Sequence, residues 1–357
     1  MAGTHRRTVA APSHAAAAGT GRDRSFDVLR AVALARVVTY HTFEWPWLGY
    51  VFPSMGVMFA LAGSLMARSL ERPAAGVLRG RLRRLLIPVW LFGLVLGVAM
   101  LLHGWVPGPD VLLWVLPVGD PPGNTWGEQA WAVLWYLRAY LWFVLVSPLL
   151  LRLFRLAPLL VLVLSLMPVV VLETVSGVPD GRVGSALSDA SVFLFCWLLG
   201  FAHRDGGLDR LRAPGTVGFA VPLMAAGAWW AAGHPAEGSY DLDDIPLAQA
   251  LWSAGFVLLL LRFRPRFDGL VRHRVADRVV TVFNARAVTV YLWHEMALMA
   301  AVPLIDLMWE VPALERHLPL DSLWWQFGVA WVLIAVAVAC FGWVEDVAAR
   351  RKPRLLP

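Results

Sequence analysis

Apolar residues run along this chain in ten stretches, near 26–45, 52–69, 85–103, 131–151, 156–174, 189–203, 215–233, 246–263, 281–305 and 322–344. Short polar or Pro/Gly-containing segments separate them. At 1.5 Å rise per residue, a helix of ~20 apolar residues crosses the ~30 Å hydrocarbon core. Helices, unlike open strands, satisfy their own backbone polar groups there. The pattern predicts an all-α polytopic membrane protein of about ten transmembrane helices. Only the segment from Arg152 to Arg155 parts the fourth stretch from the fifth. The connection 104–130 reads PVGDPPGNTWGEQ through its middle, and its Pro and Gly predict an irregular cap rather than a helix. The first stretch has no counterpart near the sixth, which disfavours duplicated transporter halves.

Composition agrees: 59% of residues are hydrophobic, 16% are charged and the mean hydropathy is +0.62. A soluble fold of this size needs about a quarter of its residues charged. The expected organisation is a tail over 1–24, one membrane domain over 25–347 and a basic tail over 348–357, with no soluble catalytic domain. The charges fix the topology. Of 31 basic residues, only Arg182 and Arg316 fall in one set of alternate loops. Four more, Arg30, Arg36, Arg138 and Arg286, lie within or beside spans, and the rest cluster in the other set and at both ends. Basic loops stay in the cytoplasm, so both termini are cytoplasmic. The opposite loops carry Asp110, Asp120, Glu128, Glu237, Asp241, Asp243 and Asp244. The formal charge of +6 therefore reports topology. A nucleic-acid partner would instead call for a basic stripe on one face. Cys196 and Cys340 sit in apolar runs and read as small buried residues.

Ionisable groups inside spans are costly and tend to face a cavity or a partner. Arg30 and His41 are eleven residues apart; at ~100° per residue they share one helix face, separated by ~16 Å along the axis. A cation near the inner headgroups with a titratable base above it suits an anionic substrate entering from the cytoplasm. Snorkelling of Arg30 and a helix–helix bond from His41 would explain the same residues more blandly. Arg36, at ~240° from Arg30, faces elsewhere and calls for an acid on another helix. Tyr291, His294 and Glu295 form a second polar group, explained first by interhelical bonding. Glu44, one turn past His41, can orient its ring or stand in interfacial water, the latter being the simpler reading. Trp45, Trp47, Trp105, Trp309, Trp324 and Trp325 fall at span ends, as an aromatic belt does. No H-x-x-x-H pair or Cys support marks a metal site, so none is expected.

The stretch RSFDVLRAVALARVVTYH, with Asp27, Arg30 and His41, resembles the opening helix of the acyltransferase-3 family of membrane acyltransferases. The resemblance continues in order. Gly56 to Gly63 is similar to the second-helix pattern of that family, and Arg81, Arg84 and Pro88 to its R-x-x-R-x-x-x-P junction. Leu134-Trp135-Tyr136-Leu137 and Tyr291-Leu292-Trp293-His294 are similar to elements of its fourth and ninth helices. What this implies is acyl transfer from cytoplasmic acyl-CoA, a co-substrate rather than a resident cofactor, to a hydroxyl of a sugar, polysaccharide or secondary metabolite. It implies His41 as general base or transient acyl carrier, Arg30 beside it, and Arg81 and Arg84 on the coenzyme phosphates. Asp27, Gly63, Tyr291 and His294 would support them. The expected location is a bacterial plasma membrane. One departure stands out: the Ser-Gly-Phe of the family's second helix is Ala62-Gly63-Ser64 here, leaving only Gly63. A transporter or flippase of a lipid-linked sugar or small metabolite would also bury Arg and His in such a bundle, and an inactive relative is a third reading.

Overall fold

The computed structural model describes residues 24–354. The expected N-terminal tail lies outside them except for Arg24, which already belongs to the first helix. Ten long helices make the bundle: α1 Arg24–Phe43, α2 Ser54–Ser69, α3 Ala74–Leu102, α4 Leu134–Leu156 and α5 Pro158–Val171. They continue as α6 Gly181–Arg204, α7 Ala213–Gly233, α8 Pro246–Phe263, α9 Ala287–Trp309 and α10 Leu323–Phe341. Among the described residues, nine spans are long and apolar enough to cross a bilayer. The tenth, α1, is a full 20 residues but carries Arg24, Asp27, Arg30 and Arg36, a charge load that hydropathy alone rejects.

Residue size sets how closely the helices pack. A Cβ on Gly63 would lie 2.2 Å from the Trp197 carbonyl oxygen, and one on Gly200 would lie 2.2 Å from that of Ala60. These two glycines let α2 and α6 touch backbone to backbone, the usual means of close approach without a hydrophobic drive. Gly255 does the same for α8 against α7, where a Cβ would meet the Ala220 carbonyl at 2.5 Å. Phe59, Phe193 and Trp197 fill the centre, fully buried. By contrast α5 turns Leu159, Leu160, Val163 and Leu164 outward, and this lipid-facing surface accounts for the apolar excess in the composition.

Four element boundaries depart from the apolar pattern, each for a local reason. α3 begins at Ala74 rather than near 85 and runs through Arg79, Arg81, Arg83 and Arg84, because arginine is a good helix former and its charge lies at the headgroups. α6 begins at Gly181, since Arg182, Ser185 and Asp189 are polar turns of the same helix. The ninth stretch is two helices. An amphipathic one, Arg274–Ala285, lies ahead of α9, and Arg286 marks the break. Within the 104–130 connection, expected to be irregular, a 3-10 turn spans Pro109–Trp114 and a short helix spans Thr125–Trp131. The Asn124 side chain caps that helix by accepting from the Gly127 amide at 2.9 Å.

Both described ends meet on the basic face. Arg24 pairs with Asp277 of the amphipathic helix, and Arg286 just beyond that helix donates to the Arg354 carbonyl.

Candidate functional site

Opening on the basic face, a cavity of about 870 Å³ reaches up between α1, α2, α3, α4 and α9. Arg30, Arg68, Arg72, Arg81, Arg84 and Arg351 line it. Pro88 lies one turn above Arg84 within α3 and has no amide to give the Arg84 carbonyl, which loosens the helix there. Arg81 is built into the wall: it donates to the Tyr140 hydroxyl at 2.9 Å, to Ser69 Oγ at 3.0 Å and to the Leu65 carbonyl at 3.1 Å. Among the described residues, the guanidinium groups of Arg68, Arg72, Arg84 and Arg351 have no hydrogen bond or ion pair, so they present their donors to whatever enters.

Arg30 is held at the side of this cavity by Asn284, whose Oδ1 accepts from its Nη1 at 3.0 Å. The Asn284 amide donates in turn to the Asp27 carbonyl at 2.7 Å. Asp27 itself is buried and takes Arg24 Nη1 at 3.2 Å, so its carboxylate ties the start of α1 down rather than facing the cavity. The rings of Tyr136 and Tyr291, 5.0 Å apart, close the upper end. The Tyr291 hydroxyl donates to the Val133 carbonyl at 2.8 Å, fixing α9 against the start of α4.

Behind Tyr291 lies the second half of the site. His294 is buried, with Nδ1 at 2.6 Å from the Tyr291 carbonyl, so that nitrogen carries the proton and Nε2 keeps a free lone pair. Its ring centroid is 5.1 Å from that of His41. The Nδ1 of His41 lies 3.4 Å from Glu295 Oε2, an ion-pair distance rather than a completed hydrogen bond. His41 is partly exposed, toward the acidic face, and does not line the cavity. The expectation of one shared helix face is met, since Arg30 and His41 both project toward α9 and the helix before it. The expectation of one shared cavity is not: Arg30, Tyr136 and Tyr291 line it and His41 does not, being reached from Tyr291 only through the His294 ring.

Glu44 does not serve His41. It is exposed and adopts φ +50°, which ends α1 and turns the chain. The turn brings Trp45 against Phe43, ring centroids 4.5 Å apart, with Trp47 and Trp324 alongside. Phe43, Trp45, Trp47 and Trp324 thus form an aromatic array at the C-terminal end of α1, the end that carries His41. The ligand atoms of His41, His294 and Glu295 also lie within 4.8 Å of one another, a donor set that sequence spacing did not reveal. Gly63 is a packing residue of the α2–α6 contact, while Ala62 lines the cavity and Ser64 Oγ lies 3.0 Å from His203 Nδ1.

The remaining span arginines are paired. Arg36 meets Asp243 at 3.2 Å across 207 residues of sequence and stacks on the Tyr40 ring at 4.7 Å. Arg138 meets both Asp120 and Asp189, and Arg286 meets Asp346 at 2.8 Å.

A family model described as an acyltransferase domain matches residues 23–344, nearly the whole chain. No curated protein and no solved structure matches it.

Proposed function

The chain belongs to the acyltransferase-3 family and is a membrane acyltransferase, and from that premise we propose that it moves an acyl group from acyl-CoA at the basic face to a hydroxyl presented at the acidic face. One observation carries the reading: unpaired arginines line a cavity on one side of the Tyr136–Tyr291 closure, and a His–Glu pair open to the other side lies beyond it. By the positive-inside rule the arginine side is cytoplasmic. Guanidinium grips phosphate in a planar fork, which favours a donor with several phosphates. Arg84, Arg68, Arg72 and the wall residue Arg81 would take the coenzyme's phosphates, with Arg30 guiding the arm upward. The arm then passes the two tyrosine rings, which swing aside, and covers the ~16 Å from the Arg30 level to that of His41.

At the top, a proton on His41 Nδ1 facing Glu295 leaves Nε2 as the base. The acceptor hydroxyl gives its proton to Nε2 as its oxygen bonds to the thioester carbonyl carbon. The carbon–sulfur bond then breaks, and the coenzyme thiolate leaves with that proton. Imidazole suits both directions because one ring nitrogen can accept a proton while the other holds one. His294 Nε2 faces the same ring and completes the polar lining. The aromatic array of Trp45, Trp47 and Trp324 favours an acceptor with an apolar ring face, such as a sugar. Transport is the weaker reading, given the family.

The test uses purified protein in detergent, where no gradient exists. Acyl-CoA is supplied with hydroxyl-bearing membrane extract; free coenzyme thiol is measured, and products are searched for a mass gain of one acyl group. Thiol release tied to an acylated product is expected. Release of no thiol under any acceptor would overturn the donor assignment.

A further inference from the structure

The residues after α10 have the sequence of a loose basic tail, and as far as Arg354 they are not loose. The short helix Trp343–Ala348 follows α10, and Arg83 Nε of α3 donates to the Ala348 carbonyl at 2.8 Å. Arg350 adopts φ +56° and turns the chain, and the Arg351 amide returns to the Asp346 carbonyl at 2.7 Å. Farther on, Asp346 Oδ2 accepts from the Arg354 amide at 3.1 Å, while Arg286 Nη2 reaches both Asp346 Oδ2 at 2.8 Å and the Arg354 carbonyl at 2.5 Å. Arg286 is fully buried, and a Cβ on Gly342 would lie 2.7 Å from its Cδ. Residues 349–354 are thus pinned at both ends by arginines from α3 and from the start of α9.

Pinning the backbone sets one side chain free. Ala349 and Arg351 face the cavity, and among the described residues the Arg351 guanidinium forms no hydrogen bond or ion pair, with Asp346 within electrostatic reach but not in contact. It stands close enough to Arg84 for the two charges to repel. Like charges gathered in a partly enclosed space are unfavourable unless an anion joins them. The backbone bonds that hold the arm in place do not involve this guanidinium, so they give it no structural task.

We infer that the C-terminal arm is a wall of the donor site and that Arg351 is a ligand for a phosphate ester there. The inference rests on the donor reading above. A phosphate ester at this depth has two sources, a coenzyme or an anionic lipid headgroup, and the experiment separates them. Coenzyme A binding is measured on the full-length protein in phosphatidylcholine nanodiscs and in nanodiscs doped with phosphatidylglycerol. The variants are R351Q, R351K and R84Q, with R79Q, an exposed arginine of α3 outside the cavity, as control. Loss of one charge-assisted contact is expected to weaken coenzyme A binding roughly tenfold in R351Q, in both lipids. R351K should recover part of that loss and R79Q should bind as wild type. If R351Q binds as wild type while R84Q is weakened, the arm is no part of the site, although the donor reading stands. If the R351Q deficit exists only with phosphatidylglycerol, Arg351 serves lipid and the inference is overturned. If the wild-type protein binds no coenzyme A in either lipid, the donor reading falls and takes this one with it.

Discussion

Arg36, Arg138 and Arg286 lie buried within or beside the spans, and each faces a carboxylate: Asp243, the pair Asp120 and Asp189, and Asp346. Arg68, Arg72, Arg84 and Arg351 line an open cavity and, among the described residues, form no ion pair. The side chain is the same, so burial and the counter-ion separate the two groups. A buried guanidinium without an acid would be ruinous, so the first group's partners are structural necessities. The second group is wetted from the basic face, can stand without partners, and so keeps its donors for a ligand. For a membrane enzyme the informative arginine is the unpaired one, whatever its depth.

The contrast can be broken most severely in the paired group. Arg138→Met leaves Asp120 and Asp189 facing each other without a cation and is expected to cost about 3–5 kcal/mol. Thermal unfolding in detergent reads this as a large fall in midpoint or in folded yield. Unchanged stability would mean that the pairing is incidental. In the unpaired group the effect moves from stability to binding. Arg84→Gln is expected to leave the unfolding midpoint nearly unchanged and to weaken coenzyme A binding by about 1.5–3 kcal/mol, read by calorimetry. A stability loss comparable to that of the Arg138 variant would erase the distinction.

A smaller effect concerns Glu345, which lines the cavity beyond the last span and accepts from the Thr289 amide at 2.8 Å. Burial pushes its carboxyl from 4.5 up to about 7, although Thr289 and Arg286 oppose the shift. The folded protein therefore holds this proton more tightly than the unfolded chain does. Its favourable contribution is full below about 4.5 and is lost as pH rises through about 7. Glu345→Gln keeps the Thr289 contacts and should flatten that decline in a pH series of unfolding midpoints; an unaltered slope would remove Glu345 from the effect. Smallest of all, with His41 as the base, exhaustive chelation should leave turnover unchanged. Loss of activity restored by added zinc would instead make His41, His294 and Glu295 ligands.

The fold was largely legible because lipid imposes a simple code: ~20 apolar residues per crossing and arginine on one side. Even the difficult helix, α1, could be placed, since its charges recur where a cavity helix needs them. The failures lie where local pattern gives way to tertiary contact. Nothing near Arg36 in sequence points to Asp243, and nothing near Arg30 points to Asn284, 254 residues away. The acid beside His41 is not the neighbouring Glu44 but Glu295, which the sequence offered only as the companion of His294. Arg351 was hidden inside a run of basic residues, and its place on the cavity wall depends on a chain reversal that composition does not encode. Tyr136 and Tyr291 stood out only as motif residues, and their meeting on the cavity wall was not legible, because helical periodicity reports a shared face and says nothing of what fills the space beside it.

Coenzyme A affinity and acyl turnover, measured together on His41→Ala, separate the two ends of the site most directly. If the donor is held below and the chemistry is done above, this variant binds coenzyme A as wild type does and loses turnover by about 100-fold or more. Turnover near the wild-type rate, with the protein present at the same level in the membrane, would contradict that division and remove His41 from the chemistry.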